Sequence, residues 1–412
     1  MVVSAQVKPL STHTRIAMVM RAFSTSGGLE LYAHKLVEGL LQCGYKVTVL
    51  CQRNESNFSH PQLRVATFSV EEGASKSQRI TNLLTAATAA VKSEGPFDIV
   101  HSQHCPVLGA NVVTFHNHTT GRLSTVGFTW ERLLNEFKRT TLPGYKARHQ
   151  YDELLCRHAT CLIFPAHVMQ QDFYSTFSFL PASNKPYVVA HPGADLAEDS
   201  PGSEHVQHRS SLNPAANKDC FNFLFVGRGF RKKGLDVLLE ACSLLKQRQR
   251  SIKLDIAGLN EKPVDRLRLQ IMGLTGTVRY LGFCKNMDEV YRQSQVLVLP
   301  SRVEPFGMAP VQAMQRGLVP IVSRVSGVAE VLSHESDALL LNNHLSAREL
   351  ADLMERLIDD SALRNKLADN AAKTATGVCW QATVEQTLHA YRIVLSGTER
   401  THTTSGTGSQ VH

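Results

Sequence analysis

The stretch Phe221-Asn222-Phe223-Leu224-Phe225-Val226-Gly227-Arg228-Gly229-Phe230-Arg231-Lys232-Lys233-Gly234 leads directly into Leu235 to Leu245. Phe221 to Val226 is a short apolar run, the pattern of a strand buried on both faces. Leu235 to Leu245 reads as a helix. A strand running through a glycine-bearing loop into a helix is the repeating unit of a parallel α/β sheet. Gly227 and Gly229 begin a G-x-G, but Lys232 stands where a third glycine would complete the dinucleotide fingerprint. No Walker A sequence exists. What remains is a loop with four cations at a helix N-terminus, where positive charge opposes the helix dipole. Cations kept in that position point to an anionic ligand such as a diphosphate; a solvated basic loop is the plainer reading.

The same alternation extends in both directions. Lys253 to Ala257, Val278 to Leu281, Val296 to Leu299 and Val319 to Val322 read as further strands of this half, with helices between them. Upstream, Ile16 to Met20, Tyr45 to Leu50, Phe97 to Val100 and Asn111 to Phe115 read as strands of an earlier α/β unit. Leu29, Ala33, Leu36, Val37, Leu40 and Leu41 share a helical face that Gly44 ends. Ser346 to Asp359 and Trp380 to Leu395 carry apolar stripes. The expected fold class is therefore α/β, with two Rossmann-like domains. The first spans residues 15–195 and the second 220–379, joined by a polar linker at 196–219. A terminal helix at 380–396 is expected to pack back on the first domain. Residues 1–14 lack periodicity and residues 397–412 are rich in Thr, Ser and Gly, so both ends are expected to be disordered.

Length and composition agree with a globular chain. Its 412 residues are 43% hydrophobic and 19% charged, with no run apolar enough to span a bilayer and no signal segment at the start, so the expected location is the cytosol. The formal charge of +8 favours anionic partners. Nine scattered cysteines form no C-x-x-C pair and read as reduced thiols rather than disulfides or a metal site.

Ligands of open parallel sheets bind where strands end and helices begin. Two more such junctions stand out. Gly27 and Gly28, in Phe23-Ser24-Thr25-Ser26-Gly27-Gly28, let a backbone approach a ligand, and the helix amides behind them favour an anion; a plain tight turn is the alternative. Pro300-Ser301-Arg302-Val303-Glu304-Pro305-Phe306-Gly307-Met308-Ala309-Pro310-Val311-Gln312 follows the strand at Val296 to Leu299. There Glu304 can accept hydrogen bonds from hydroxyls, Gly307 and Met308 offer amides, and Gln312 can face the same pocket.

The last motif resembles the E-x7-E region of family 4 glycosyltransferases, which have the GT-B fold. Arg228 and Lys233 have the spacing of that family's donor loop. Gly27-Gly28, Phe97-Asp98-Ile99-Val100-His101, Val112-Val113-Thr114-Phe115-His116, Pro192-Gly193-Ala194-Asp195 and Trp380 with Tyr391 match further family segments in order, so the resemblance runs from about Arg15 to Leu395. Residues Phe128 to Phe177 give a narrower likeness to lipopolysaccharide-core glucosyltransferases. One departure is Gln312, which stands where the family has a second glutamate on the nucleotide ribose; it keeps an acceptor oxygen and loses the charge.

The resemblance implies two sheets facing a central cleft and a retaining transfer of a hexose, UDP-glucose being the preferred donor, to a glycan or glycolipid. The setting would be cell-envelope polysaccharide or lipopolysaccharide synthesis. It implies His116, Glu304, Arg228 and Lys233 in catalysis, and Gly27, Gly28, Phe306, Gly307, Met308 and Gln312 on the donor beside Arg228, Lys233 and Glu304. No cofactor is implied, the nucleotide-sugar being a co-substrate, and no metal; the absence of a D-x-D sequence agrees. Without the match, His116 would read as an ordinary strand-end histidine, and His101, His104 and His118 carry less weight. Between residues 122 and 149, Arg122, Lys138, Arg139, Lys146 and Arg148 interleave with Trp130, Leu133, Leu134 and Phe137. This suggests a surface for an anionic membrane that carries the acceptor, or an ordinary solvated helix. Nucleic acid is not an expected partner, since no recognition motif is present. Competing readings are a nucleic-acid-binding protein, a catalytically inactive sugar-nucleotide sensor and a sugar-nucleotide epimerase. The sequence leaves the oligomeric state open.

Overall fold

The computed structural model describes residues 11, 13–73, 75–194 and 220–403, with side chains described as far as residue 396. The described residues form two compact units. One holds the chain up to Ser124, Leu133–Pro192 and the segment from Trp380 onward; the other holds Thr125–Arg132 and Gly193–Cys379.

The first unit is built on an all-parallel sheet of β1 (Arg15–Phe23), β2 (Lys46–Asn54), β3 (Leu63–Thr67), β4 (Ile99–Gln103), β5 (Val112–Thr114), β6 (Cys161–Phe164) and β7 (Tyr187–Val189), in the order β3-β2-β1-β4-β5-β6-β7. Alternation along β1 sends its residues into two cores. Ile16, Met18 and Met20 pack with Leu36 and Leu40 of helix Gly28–Gln42 and with Leu388 and Tyr391 of the terminal helix. Ala17 and Val19 pack on the other side with Leu83, Ala87, Leu155 and Cys156. With both faces covered, the strand reads as a continuous apolar run rather than an alternating one. Helix Gly28–Gln42 stops where Gly44 turns to φ 85°, the Gly44 and Tyr45 N–H groups donating to Leu41 and Leu40 carbonyls at 2.9 and 3.1 Å. At Gly39 a Cβ would collide with Val384 of the terminal helix, so the close approach of these two helices requires glycine there.

The second unit carries β8 (Phe221–Val226), β9 (Ile252–Ala257), β10 (Val278–Gly282), β11 (Val296–Leu299), β12 (Val319–Ser323) and β13 (Leu339–Leu341), parallel, in the order β10-β9-β8-β11-β12-β13. Helix Leu235–Gln247 follows β8, and helix Met308–Gln315 follows β11.

Several expectations need amendment. Strands β3, β6, β7 and β13 were not expected; at three to five residues each they are too short to show a period. The terminal helix runs from Trp380 to Thr403, beyond the expected end at 396 and into the segment expected to be disordered. Thr125–Arg132 groups with the second unit, although it lies within the expected first domain. Asp195, the linker at 196–219, the tail from 404 and most of the first fourteen residues lie outside the described residues. All nine cysteines are free thiols, and burial pushes Cys51 up to about 11 and Cys242 up to about 12.

Gly234 fixes the entry to helix Leu235–Gln247. Its φ is 75°, and a Cβ there would collide with the Pro300 carbonyl oxygen. Gly273, at φ 68°, faces open space and shares only the conformational demand. Gly273→Ala should cost about 1 kcal/mol. Gly234→Ala should cost roughly 2–4 kcal/mol, the added part being steric. Chemical denaturation of the two variants checks this; equal losses would show that the Pro300 contact does not constrain Gly234.

Candidate active site

The strand order of the second sheet reverses between β8 and β11, so the loops leaving the carboxyl ends of these two strands lie side by side at a topological switch point. They are bonded main chain to main chain: the Arg302 N–H donates to the Lys232 carbonyl at 3.0 Å. The Arg302 side chain is 3% exposed. Its guanidinium donates to both carboxylate oxygens of Asp236 at 2.7 Å and to the Arg231 carbonyl at 2.5 Å, and lies 3.3 Å from Glu131 Oε2. A fork of this geometry fixes orientation as well as charge. Asp236 sits in the first turn of its helix, where a carboxylate also suits the dipole.

This joint sets Lys233 against Glu304. The Lys233 stem runs over Gly227 and Gly229, where a Cβ would meet it at 3.3–3.5 Å, and its Nζ is bonded to Glu304 Oε2. Gly229 lies tight against this stem, whereas a Cβ at Gly227 would make only ordinary contact with it. Glu304 is buried, receives the Ser301 hydroxyl at 3.3 Å, and is held through its carbonyl by the Gly327 N–H at 3.1 Å. The ammonium side of the pair is the more open, at 22% exposure against 8%.

The other cations of the loop divide. Arg228 is exposed, its guanidinium 5.9 Å from the Phe283 ring centroid. Arg231 is engaged with protein groups: Glu131 at 3.2 Å, Asp236 at 3.9 Å and the Trp130 ring at 4.5 Å. Of the four cations expected to face a ligand, Arg231 is thus taken up by the joint and Lys233 is paired with Glu304, while Arg228 is exposed.

Gly307 adopts φ 99° and opens helix Met308–Gln315, so Met308 lies in its first turn as the sequence requires. Phe306, expected to contact the donor, has a buried ring, and its carbonyl accepts from the Val328 N–H at 2.8 Å. Gln312 is half-buried, and its Oε1 accepts from the Tyr291 hydroxyl at 3.2 Å. Burial raises the Tyr291 phenol, which keeps its proton and remains a donor. One lone pair of the Gln312 oxygen is thus engaged, leaving its second lone pair and its amide N–H groups for a ligand. A glutamate there would accept from Tyr291 and keep a second oxygen.

In the first unit, Gly27 has φ 115° and precedes helix Gly28–Gln42, but a Cβ at Gly27 would run into the Glu30 carboxylate. The protein's own Glu30 thus lies where an anion was expected at that helix end. His116 lies beyond β5; its backbone N–H donates to His104 Nδ1 at 3.2 Å, its Nε2 is 2.8 Å from Gln103 Oε1, and its ring meets Tyr32 edge-on at 4.9 Å. Burial, with His104 and His101 as neighbouring basic groups, holds its pKa well below the usual histidine range. His118 pairs with Asp172 at 2.8 Å in the interior.

Of the basic residues expected at a membrane, Arg148 is corrected: it donates to the His118 carbonyl at 2.7 Å and lies 3.7 Å from Asp152. Arg139 pairs with Glu136. Arg122 and Lys138 are half-buried, and Lys146 is exposed. On helix Thr129–Thr141, Trp130, Leu133, Leu134 and Phe137 form one stripe at i, i+3, i+4 and i+7, and all four are exposed, Leu133 at 67% and Phe137 at 61%. Glu131 is buried on the opposite side. The usual amphipathic orientation is inverted. Among the described residues no helix is long and apolar enough to cross a membrane, and no group of three or more His, Cys, Asp or Glu is placed to hold a metal ion.

Sequence reading missed Arg302, Asp236, Ser301, Tyr291 and the Gln103–His101 pair. An isolated arginine within Ser301-Arg302-Val303 gives no signal, because its partner is 66 residues away.

Comparisons with known proteins agree with this geometry. Residues 26–198 match the model described as Glycosyltransferase Family 4, and residues 209–374 match Glycosyl transferases group 1. A D-inositol 3-phosphate glycosyltransferase of Arthrobacter sp. (strain FB24) is 27% identical, with 93% of this chain and 93% of that protein covered. Among solved structures, WaaG, a glycosyltransferase involved in lipopolysaccharide biosynthesis, superposes with a TM-score of 0.70 at 17% identity, covering 90% of this chain and 98% of that one. Anabaena HepE in complex with UDP-glucose gives a TM-score of 0.63 at 18% identity, covering 94% and 100%. With a family 4 segment in its first half, a group 1 segment in its second and two parallel-sheet units beneath them, the chain is a GT-B glycosyltransferase of this group.

Proposed function

We propose that the protein is a retaining hexosyltransferase that takes glucose from UDP-glucose, with the donor diphosphate held by Arg228, Lys233 and the Gly307 and Met308 amides. The observation that carries this is the Lys233–Glu304 pair. Without a ligand the two groups neutralise each other. A diphosphate offers Lys233 a second anion, and as the ammonium turns to it, Glu304 is freed to accept hydrogen bonds from sugar hydroxyls. Charge that develops on the leaving diphosphate is then met by cations and amides already in place. Retention follows if the acceptor oxygen attacks the anomeric carbon on the face the diphosphate leaves. The acceptor proton goes to the departing phosphate oxygen, which needs neither a metal nor a cofactor. His116, neutral and held by the first unit, is assigned to the sugar and the acceptor.

A solved structural neighbour that holds UDP-glucose supports the donor. For the acceptor, the likeness to WaaG supports a glycan or glycolipid of the cell envelope. The second reading, a soluble phosphorylated polyol, is favoured by curated relatives that act on D-inositol 3-phosphate. The inverted helix Thr129–Thr141 favours the first: four large apolar side chains beside Lys138 suit the interface of an anionic membrane, and on this reading the protein works in the cytoplasm, peripheral on the inner face.

A nucleotide-sugar panel with acceptors of both kinds tests the assignment. UDP-glucose should raise the melting temperature and yield labelled product with its anomeric configuration kept. Lys233→Ala should lose both the shift and turnover; an unchanged shift in that variant removes Lys233 from the site. Gln312→Glu should tighten nucleotide binding roughly fivefold, about 1 kcal/mol for one charge-assisted bond; weaker binding in titration calorimetry would show that the amide itself is what the ribose needs. Sedimentation with anionic vesicles at low salt should fall at least tenfold in a Leu133→Asp, Phe137→Asp double variant and fall with added salt in the parent. Absence of binding by the parent would leave the soluble acceptor as the better reading.

A further inference from the structure

Strand alternation puts four polar side chains of the first unit on one face. His101 and Gln103 are two residues apart on β4; Thr114 of β5 is in register with Gln103, and His116 lies two residues beyond it. Their polar atoms form a single chain. Gln103 Oε1 lies 2.8 Å from His116 Nε2, and Gln103 Nε2 lies 3.2 Å from His101 Nε2, which also meets Thr114 Oγ1 at 2.7 Å. His101 Nδ1 lies 2.9 Å from the Tyr391 hydroxyl, and Tyr391, on the terminal helix, donates to Met18 Sδ at 3.6 Å. His101, Gln103, Thr114 and Tyr391 are fully or almost fully buried.

With the Gln103 amide nitrogen toward His101 and its oxygen toward His116, proton bookkeeping along this chain runs one way. The amide N–H of Gln103 needs an acceptor, so His101 Nε2 carries a lone pair and the His101 proton sits on Nδ1. That proton is donated to the Tyr391 oxygen, whose own hydrogen is turned to Met18. At the other end the Gln103 carbonyl needs a donor, so His116 is protonated on Nε2 and keeps its lone pair on Nδ1. Burial pushes His101 down to about 3 and holds His116 low as well, so each ring carries one proton at neutral pH. A second lock acts on the backbone: His104 Nδ1 accepts the His116 N–H, and its own Nε2–H goes to Asp152 Oδ1 at 2.9 Å.

We propose that Gln103 is a positioning residue that holds His116 in its Nε2–H tautomer, and that Tyr391 anchors the far end of this relay, 290 residues away along the chain from His101. The proposal rests on the reading of His116 as the histidine beside the sugar. It adds that the lone pair at Nδ1 is what His116 keeps available, as acceptor for a hydroxyl of donor or acceptor. It also gives the terminal helix a part in setting the site, through a hydroxyl that packing alone does not need.

The test is two-bond proton–nitrogen correlation on the full chain labelled with ¹⁵N-histidine, the His116 signals being assigned by their loss in His116→Asn. The expected result is an Nε2–H pattern for His116 at neutral pH, replaced by a mixture of tautomers in Gln103→Leu and in Tyr391→Phe. Turnover of UDP-glucose in Gln103→Leu should fall about tenfold in kcat, with the donor KM within about twofold. Tyr391→Phe keeps the ring and its packing, so the tautomer remains readable if Gln103→Leu does not fold. An Nδ1–H pattern in the parent, which a Gln103 amide turned the other way would give, overturns the proposal. So does an unchanged His116 pattern in both variants. The spectra need no turnover, so a relay that behaves as expected together with full activity in His116→Asn would sink the functional reading of His116 and not the relay.

Discussion

A single buried guanidinium holds the donor-side site together. Arg302 spends its fork on Asp236 and the Arg231 carbonyl, while its backbone N–H takes the Lys232 carbonyl. Each bond ties the loop after β11 to the loop after β8. Neither loop has a sheet or a helix of its own to fix it, and loops of this kind gain their shape from such cross-links. The charges also balance locally, with Asp236 and Glu131 answering Arg302 and Arg231, so the burial of Arg302 does not leave an uncompensated ion. Lys233 and Glu304 are then left to pair with each other, with the Ser301 hydroxyl also on Glu304. Their pairing is a consequence of the joint rather than its cause.

That division of labour explains how far the sequence could be read. The α/β class and both sheets announce themselves because buried parallel strands are continuous apolar runs and their helices have apolar faces, as at Ile16 to Met20 and Leu29 to Leu41. Strands such as β7 and β13 are invisible for the opposite reason: three residues carry no period. At the site, Arg228, Lys233 and Glu304 are legible because their residue types sit at strand ends, where a parallel sheet binds ligands. Arg302 and Asp236 are illegible because an ion pair between distant positions leaves no local pattern. The same holds for the relay behind His116. His101 and Gln103 look like ordinary members of a strand until the register of β4 with β5 and the return of the terminal helix bring Thr114 and Tyr391 to them.

Two positions show a motif residue whose partner decides its chemistry. Glu30 shares the Gly27-Gly28 turn with the helix amides, so the anion preference of that helix end is met from within the chain. A ligand anion there has to compete with a carboxylate that is covalently present, at an effective concentration no free ligand reaches. At Gln312 the reverse applies. The Tyr291 hydroxyl donates to the amide oxygen and takes up one of its two lone pairs. The difference from glutamate is therefore more than charge: an amide at this position has one acceptor oxygen fewer and two N–H donors more.

The helix Thr129–Thr141 raises the opposite problem, apolar surface that the fold does not use. A helix whose stripe of Trp130, Leu133, Leu134 and Phe137 points outward would ordinarily roll over to bury it. Glu131 opposes that motion. Its carboxylate is buried between Arg302 and Arg231, and it also accepts the Phe128 N–H at 2.9 Å, so turning the helix would leave Asp236 alone to answer two guanidinium groups and the Phe128 amide without this acceptor. Removing one partner from a buried ion cluster costs several kcal/mol, the same order as leaving a few large apolar side chains half exposed. The electrostatic anchor thus fixes the rotation of the helix and leaves its apolar stripe outward.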